Sequence, residues 1–553
     1  MNKLATRVLG FIVALACVIS TAPVAVAAQE NLLQNGDFEK GAASPVYGWH
    51  QIYPPTIQRP APFFGRIEVK PKSSELGVGN AKSGESFGVI ETNKPGGFSS
   101  LTQSGKFKGK ENLISFYSWL RVDGIGAGSA AYLIVLFIDG DGKSLGMKQS
   151  RRLTSVGDWK QLQLETVIPE GAEEWMVRCG IMGQARVGFD DAQLVTSRIK
   201  GDLVAAELAV HHGDYIVRTP ASKKDAWVAL SIPFPFEKQS PLAIRVTTDP
   251  PEMVERLEIF EARENRPLRV VMKKMARGDE VKVHVETLTM VSDRATSDGS
   301  EVKLANPKKV PKDVRQHLKA APGVEAKDKR IKNIAAGFDR SDFASLMKDV
   351  QAYLKANLEY AGGNPQGATA CLDLGRAVCT GYANVAASLL IAADVPTRIL
   401  ACTQLSGRLQ EHYIVEAWTP DLGWSRMEST MAAFPWVDSS NLIVRVVYPD
   451  SGRSKGNVPL FVEVSKGAAG GFRMDPKDTC WQGADHLTGI LMPDKSFAAI
   501  EATARKNFEA LIKKPSAGEW VRLVPELADA KKLKLDDRSK QLLATVDNWL
   551  SGN

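Results

Sequence analysis

Three residues in the stretch 375–430 are of types that do nucleophilic chemistry together. Cys379 stands at the start of an apolar, Ala-rich segment that reads as a helix, and His412 sits in EHYIVEAW, where apolar and polar residues alternate at strand period. Glu428 follows after a turn at 420–423 and the short segment WSRME. A thiolate at a helix start is favoured by unpaired N–H groups and by the macrodipole. A histidine on a neighbouring strand can take the thiol proton, and a carboxylate on the next strand can hold the imidazole in one tautomer. A lone cysteine at a helix start is more often a packed small hydrophobe. What makes Cys379 notable is the ordered company of His412 and Glu428.

The segments before this stretch must position it. Residues 328–360 read as helical: Phe343, Leu346, Met347, Val350, Tyr353 and Leu354 follow helix spacing, and Ser341-Asp342 offers an N-terminal cap. That stripe is core. A Gly/Pro/Asn loop at 361–367 then carries the chain toward Cys379, where it could line a cleft. A Lys- and Pro-rich connector precedes the helices at 305–325.

Through Gly375, Cys379, Ala383, Pro396, Arg398, His412, Glu416, Gly423, Trp424, Glu428 and Thr430, in their order and spacing, the sequence resembles the transglutaminase-like superfamily of papain-like thiol enzymes. The resemblance implies an α+β core over 305–450 with Cys379 as nucleophile, His412 as general base and acid, and Glu428 as the group orienting the histidine. That third position is usually Asp in the family; Glu428 adds a methylene, which asks for a small adjustment of the loop or the imidazole. No cofactor is required for such chemistry. The Cys379 N–H is one oxyanion donor; the sequence does not identify a second. Water as acyl acceptor would give a peptidase or amidase acting on a protein or peptide, which is the expectation here. A lysine amine as acceptor would give a crosslinking transglutaminase, and an inactive glycan-binding surface protein is a further alternative.

With 553 residues, three or four domains are expected, and 44% apolar with 24% charged residues is ordinary for globular protein. The net charge of +7 is spread over mixed signs, without a basic run interleaved with aromatics, so nucleic acid is not an expected partner. Residues 1–28 read as a secretory signal peptide: Lys3 and Arg7, an apolar run at 8–19, then Ala25-Val26-Ala27 as a cleavage site. No later stretch is apolar enough to span a membrane, so a secreted, periplasmic or cell-surface protein without a transmembrane segment is expected. Past residue 28 the cysteines are Cys179, Cys371, Cys379, Cys402 and Cys480. An odd count suggests a thiol left unbridged, and a Cys371–Cys402 bridge would brace the catalytic stretch.

Residues 31–198 read as all-β, with strand-like runs at 114–122, 131–138, 159–168 and 175–181 and a hairpin signal at Asp139-Gly140-Asp141-Gly142. The opening NLLQNGDFEKG, Gly48-Trp49 and the closing VGFDDAQLV resemble a carbohydrate-binding-module type of galactose-binding-like jelly roll. That resemblance implies two sites. Trp49, Tyr53 and Trp119 are candidate platforms for a polysaccharide or cell-wall glycan, the alternative being core aromatics. Asp37, Glu39 and Asp190 are candidate oxygen ligands of a structural Ca²⁺.

Residues 200–300 carry short alternating strands, including one with Val281, Val283 and Val285 on one face and Lys282, His284 and Glu286 on the other, and suggest an immunoglobulin-like β-sandwich preceding the core. His211 and His212 are adjacent, so on a strand they face opposite ways and do not pair on a metal. Residues 451–553 are expected to form a C-terminal extension, with a Gly-rich loop at 467–472, Asp485 and His486 in a loop, and helices at 496–513 and 536–550.

Overall fold

The computed structural model describes residues 31–551 apart from 41–45, 53–62, 69–80, 94–97, 128, 143, 199–202, 219–225, 275, 277, 293–298, 320–322, 362–366, 406–410, 433, 436–440, 448–461, 465–479, 514–519 and 530–534. The segment 1–28 expected as a signal peptide, Tyr53, most of the loop at 361–367 and the Gly-rich stretch 467–472 lie outside the described residues.

The N-terminal unit is a sandwich of two five-stranded antiparallel sheets. One runs His50–Ile52, Phe98–Lys106, Glu174–Met182, Ala130–Ile138, Ser144–Gln149; the other runs Phe63–Glu68, Ser86–Thr92, Ala185–Ser197, Leu113–Ile125, Gly157–Val167. Alternation along the strands supplies the filling: Phe116, Leu120, Leu133, Val135, Val177, Ile181, Val187 and Phe189 meet in one core. This is the expected jelly-roll architecture. The opening segment is not a strand. Its Asn31 side chain ties it to the closing one, donating to the Ala192 carbonyl (3.1 Å) and accepting from the Leu194 N–H (3.0 Å).

The second unit is also a two-sheet sandwich, but its membership corrects the expected boundaries. Its five-stranded sheet runs Cys480–Pro493, Leu203–Arg218, Glu280–Ser292, Gln239–Asp249, Trp520–Arg522, and its four-stranded sheet ends on Val462–Val464. The residues beyond 451 are therefore no separate extension: they return to complete both sheets. The reason is burial. Leu208, Val210, Leu288 and Met290 face away from the sandwich core, and they are covered by Phe497, Ile500, Leu542, Leu543 and Val546 of the helices Asp494–Lys513 and Asp537–Ser551. The segment expected as a loop around Asp485 and His486 is part of the strand Cys480–Pro493.

The core unit packs the helices Lys329–Ala336, Phe343–Asn357, Ala368–Leu374 and Cys379–Ala392 onto a four-stranded antiparallel sheet ordered Gly423–Met427, Glu411–Thr419, Thr397–Gln404, Asn441–Val447. Alternation lets this sheet bury both faces. Ala401, Tyr413, Val415, Ala417 and Met427 pack with the helices, whereas Leu400, Cys402, Ile414, Ile443 and Val446 pack into the second sandwich. Asp342 caps the helix Phe343–Asn357 by accepting from the Ser345 N–H at 2.7 Å.

The two-sided sheet also explains why the Cys371–Cys402 bridge does not form. Cys371 lies among the helices and Cys402 beneath the opposite face, and both remain thiols.

Candidate active site

Cys379 is the first residue of the helix Cys379–Ala392, delivered by Gly375, which ends the preceding helix at φ +61°, a left-handed conformation that glycine adopts without strain. A two-residue parallel pairing of Glu359–Tyr360 with Arg376–Ala377 fixes the approach. The helix from Cys379 onward is buried along almost its whole length, so the rigid core holds the thiol, which sits half-buried at the helix N-terminus.

His412 and Glu428 come from adjacent antiparallel segments, joined by a ladder that pairs Val415 with Met427 and Thr419 with Gly423. The turn is closed by Gly423 at φ +68°. His412 is 7% exposed and Glu428 2%. The His412 Nε2 nitrogen lies 2.6 Å from Glu428 Oε2, and the sulfur of Cys379 interacts with the same ring. Glu428 Oε1 accepts from both the N–H (3.0 Å) and the hydroxyl (2.5 Å) of Thr430. Burial alone would lower the proton affinity of His412. Its bonds to Cys379 and Glu428 outweigh burial and hold its pKa up to about 9. At neutral pH the ring is an imidazolium between a sulfur and a carboxylate.

The structure thus brings together the three residues singled out for chemistry, and it accounts for the other motif positions as scaffold. Arg398, 4% exposed, reaches Glu416 at 2.6 Å, Glu237 at 2.8 Å and Glu264 at 3.1 Å, and stands 4.1 Å over the Trp424 ring. Arg426 bonds the other Glu416 oxygen at 3.1 Å. Since the partly exposed Glu237 and Glu264 belong to the second sandwich, this charge network around buried Arg398 ties that unit to the sheet carrying His412.

Sequence reasoning missed Tyr360. Its hydroxyl is hydrogen-bonded by the backbone of Cys379, and its pKa is raised by burial and then by the nearby charges of Cys379 and Glu428, so the hydroxyl keeps its proton. Yet the residue is 60% exposed, at the mouth of the site. A tyrosine ending a helical run carries no signal in sequence; the parallel pairing beside Ala377 brings it to the thiol.

In the jelly roll, Trp49 is corrected from platform to core. It is 4% exposed, stacks on Phe38 at 5.4 Å, and donates its indole N–H to the Asn35 carbonyl, so neither face can receive a sugar. Trp119 is half-buried, with the Lys82 ammonium 4.0 Å from its ring. Asp190 and Glu39 both grip one turn: Asp190 accepts from Ser83 N–H (2.9 Å) and Asp191 N–H (2.7 Å), and Glu39 accepts from Glu85 and Ser86 N–H (2.7 and 2.8 Å). Asp37 turns instead to the Glu39 N–H at 3.4 Å. Each carboxylate accepts from backbone donors, and among the described residues the three do not gather as a three-ligand cluster.

Residues 332–429 match the family model of the transglutaminase-like superfamily, so the chain carries a transglutaminase-like domain. No curated protein matches the chain. Among solved structures it is similar to a candidate cysteine protease from Cytophaga hutchinsonii, at 13% identity over 52% of this chain and 93% of that one, TM-score 0.40. It is also similar to TmCBM61, solved with beta-1,4-galactotriose, at 16% identity over 31% of this chain and 100% of that one, TM-score 0.22. The CBM22-1 xylan-binding domain of Paenibacillus barcinonensis Xyn10C resembles it at 16% identity over 32% of this chain and 99% of that one, TM-score 0.23. At these values the structural resemblances are distant.

Proposed function

We propose that this chain is an exported thiol enzyme that cleaves peptide or amide bonds through a Cys379 thioester, held near its substrate by a glycan-binding N-terminal module. The observation that carries the reading is the continuous contact Cys379–His412–Glu428–Thr430, with the His412 pKa held up to about 9. The Cys379 thiolate attacks the carbonyl carbon, whose π electrons move to oxygen. The Cys379 N–H, which meets the Tyr360 hydroxyl in the structure, turns with that hydroxyl to the oxyanion when substrate binds. His412 gives its proton to the leaving amine as the C–N bond breaks, then takes one from water as the thioester is hydrolysed. Glu428 keeps the imidazole oriented throughout. Partly exposed Trp119 in the first unit is the remaining described candidate for glycan stacking.

The test is the alkylation rate of each thiol by iodoacetamide between pH 4 and 9. Cys379 is expected to react far faster than Cys371, whose thiol burial pushes up to about 11, and to lose that advantage in His412→Ala. An unreactive Cys379 would overturn the assignment. Release of amine from a peptide amide with no incorporation of a labelled primary amine separates hydrolysis from crosslinking.

A further inference from the structure

Away from the thiol, on the face of the second sandwich covered by the C-terminal helices, three ligand-type side chains converge where that cover ends. His212 on the strand Leu203–Arg218 stands opposite Glu286 on Glu280–Ser292, and His284 lies two residues before Glu286 on the same face. His212 Nδ1 is 3.2 Å from Glu286 Oε1, and His284 Nε2 is 3.7 Å from that same oxygen. All three atoms lie within 4.8 Å of one another. A tetrahedral zinc ion with bonds of about 2.0–2.1 Å has its ligand atoms about 3.3–3.4 Å apart, and the two distances to Glu286 bracket that edge.

A second observation concerns orientation. The far nitrogen of His284, Nδ1, lies 2.6 Å from Asp214 Oδ1. A proton held there leaves the Nε2 lone pair facing Glu286 Oε1, which is the carboxylate–histidine arrangement that supports metal-ligating imidazoles. Glu286 Oε2 accepts from Arg245 at 3.2 Å, and Arg245 is itself held by the carbonyls of Trp549 and Leu550, so Oε1 is the oxygen left for an ion. The neighbouring strand places Gly483, with no side chain, beside His212. The three side chains are 18%, 38% and 15% exposed, which gives an ion access from solvent.

We propose that His212, His284 and Glu286 bind a zinc-type divalent cation, with Asp214 orienting His284 and water filling the fourth position. Two imidazoles and one carboxylate suit zinc, nickel or copper; calcium and magnesium prefer all-oxygen sets. The ion would staple two neighbouring strands of the sandwich on which the core sheet rests.

The experiment is a Zn²⁺ titration of chelator-treated full-length protein by calorimetry, in a Cys379→Ala background so that the thiol does not compete. One ion is expected to bind, with affinity reduced about 100-fold or more in His284→Ala and in the near-isosteric Glu286→Gln, and about 10–100-fold in Asp214→Asn. Ca²⁺ should not compete. Co²⁺ in place of Zn²⁺ should give the intense visible absorption of a tetrahedral site, absent in Glu286→Gln. Failure to bind Zn²⁺ at micromolar concentration, or binding undiminished in His212→Ala/His284→Ala, overturns the proposal.

Discussion

His412 Nε2 lies 2.6 Å from Glu428 Oε2, while the other oxygen of Glu428 is occupied by both donors of Thr430. The longer side chain at a position usually held by aspartate therefore reaches the imidazole, and Thr430 leaves the carboxylate a single orientation. Glu428→Gln reverses one group in this chain of bonds. If the amide oxygen stays with Thr430, the amide N–H₂ faces Nε2, and the ring must surrender its Nε2 proton. The expected result is a fall in kcat of about 10²–10⁴-fold with little change in folding. Steady-state kinetics on a peptide amide, alongside circular dichroism, would check it; an unchanged kcat would remove Glu428 from the mechanism.

The same bonds couple His412 to stability. Its folded pKa of about 9 lies above the ordinary 6.5. A raised histidine pKa contributes stability that is fully present below about pH 6.5 and is lost as pH rises through about 9. At most about 3.5 kcal/mol is at stake, at about 1.4 kcal/mol per pH unit. Urea midpoints should therefore drop between pH 6 and pH 9.5, and His412→Gln should flatten that dependence. A midpoint that rises over this window contradicts the assignment.

Tyr360 offers a test of the oxyanion site. Tyr360→Phe keeps the ring and removes only the hydroxyl beside the Cys379 backbone. Loss of one such donor costs about 10²–10³ in kcat, with KM little changed and the rate of Cys379 alkylation preserved. If turnover survives the substitution, the second donor lies elsewhere.

Arg398 should behave as structure. Arg398→Met strips the fully buried Glu416 of one of its two arginines. Breaking a buried pair from one side costs about 3–5 kcal/mol. Denaturant unfolding should show that loss, and adding Glu416→Gln should recover part of it. An unperturbed midpoint in Arg398→Met would mean that Arg426 alone neutralises Glu416.

The chain's own pattern was sufficient for much of this. Helix and strand periods around Cys379, His412 and Glu428 place the three on a helix start and two successive strands, and the structure keeps Cys379 and His412 there and sets Glu428 one residue past the strand Gly423–Met427, because a buried Ala-rich helix and an alternating hairpin have little other way to hide their apolar faces. The jelly roll was legible for the same reason: alternation and turn signals are local.

What sequence could not supply are relationships between distant segments. That 480–493 and 520–522 complete a sheet begun at 203 follows from the need to cover Leu208, Val210, Leu288 and Met290, a demand visible only once those faces are assembled. Trp49 and Trp119 are equally aromatic in sequence; packing against Phe38 buries one and leaves the other partly open. Cys371 and Cys402 looked bridgeable until the sheet came between them. Tyr360 and the His212–His284–Glu286 cluster were missed because pairing across strands, not spacing along the chain, makes them neighbours: strand register converts separations of tens of residues into a few ångströms, and register is set by the packing of the whole fold.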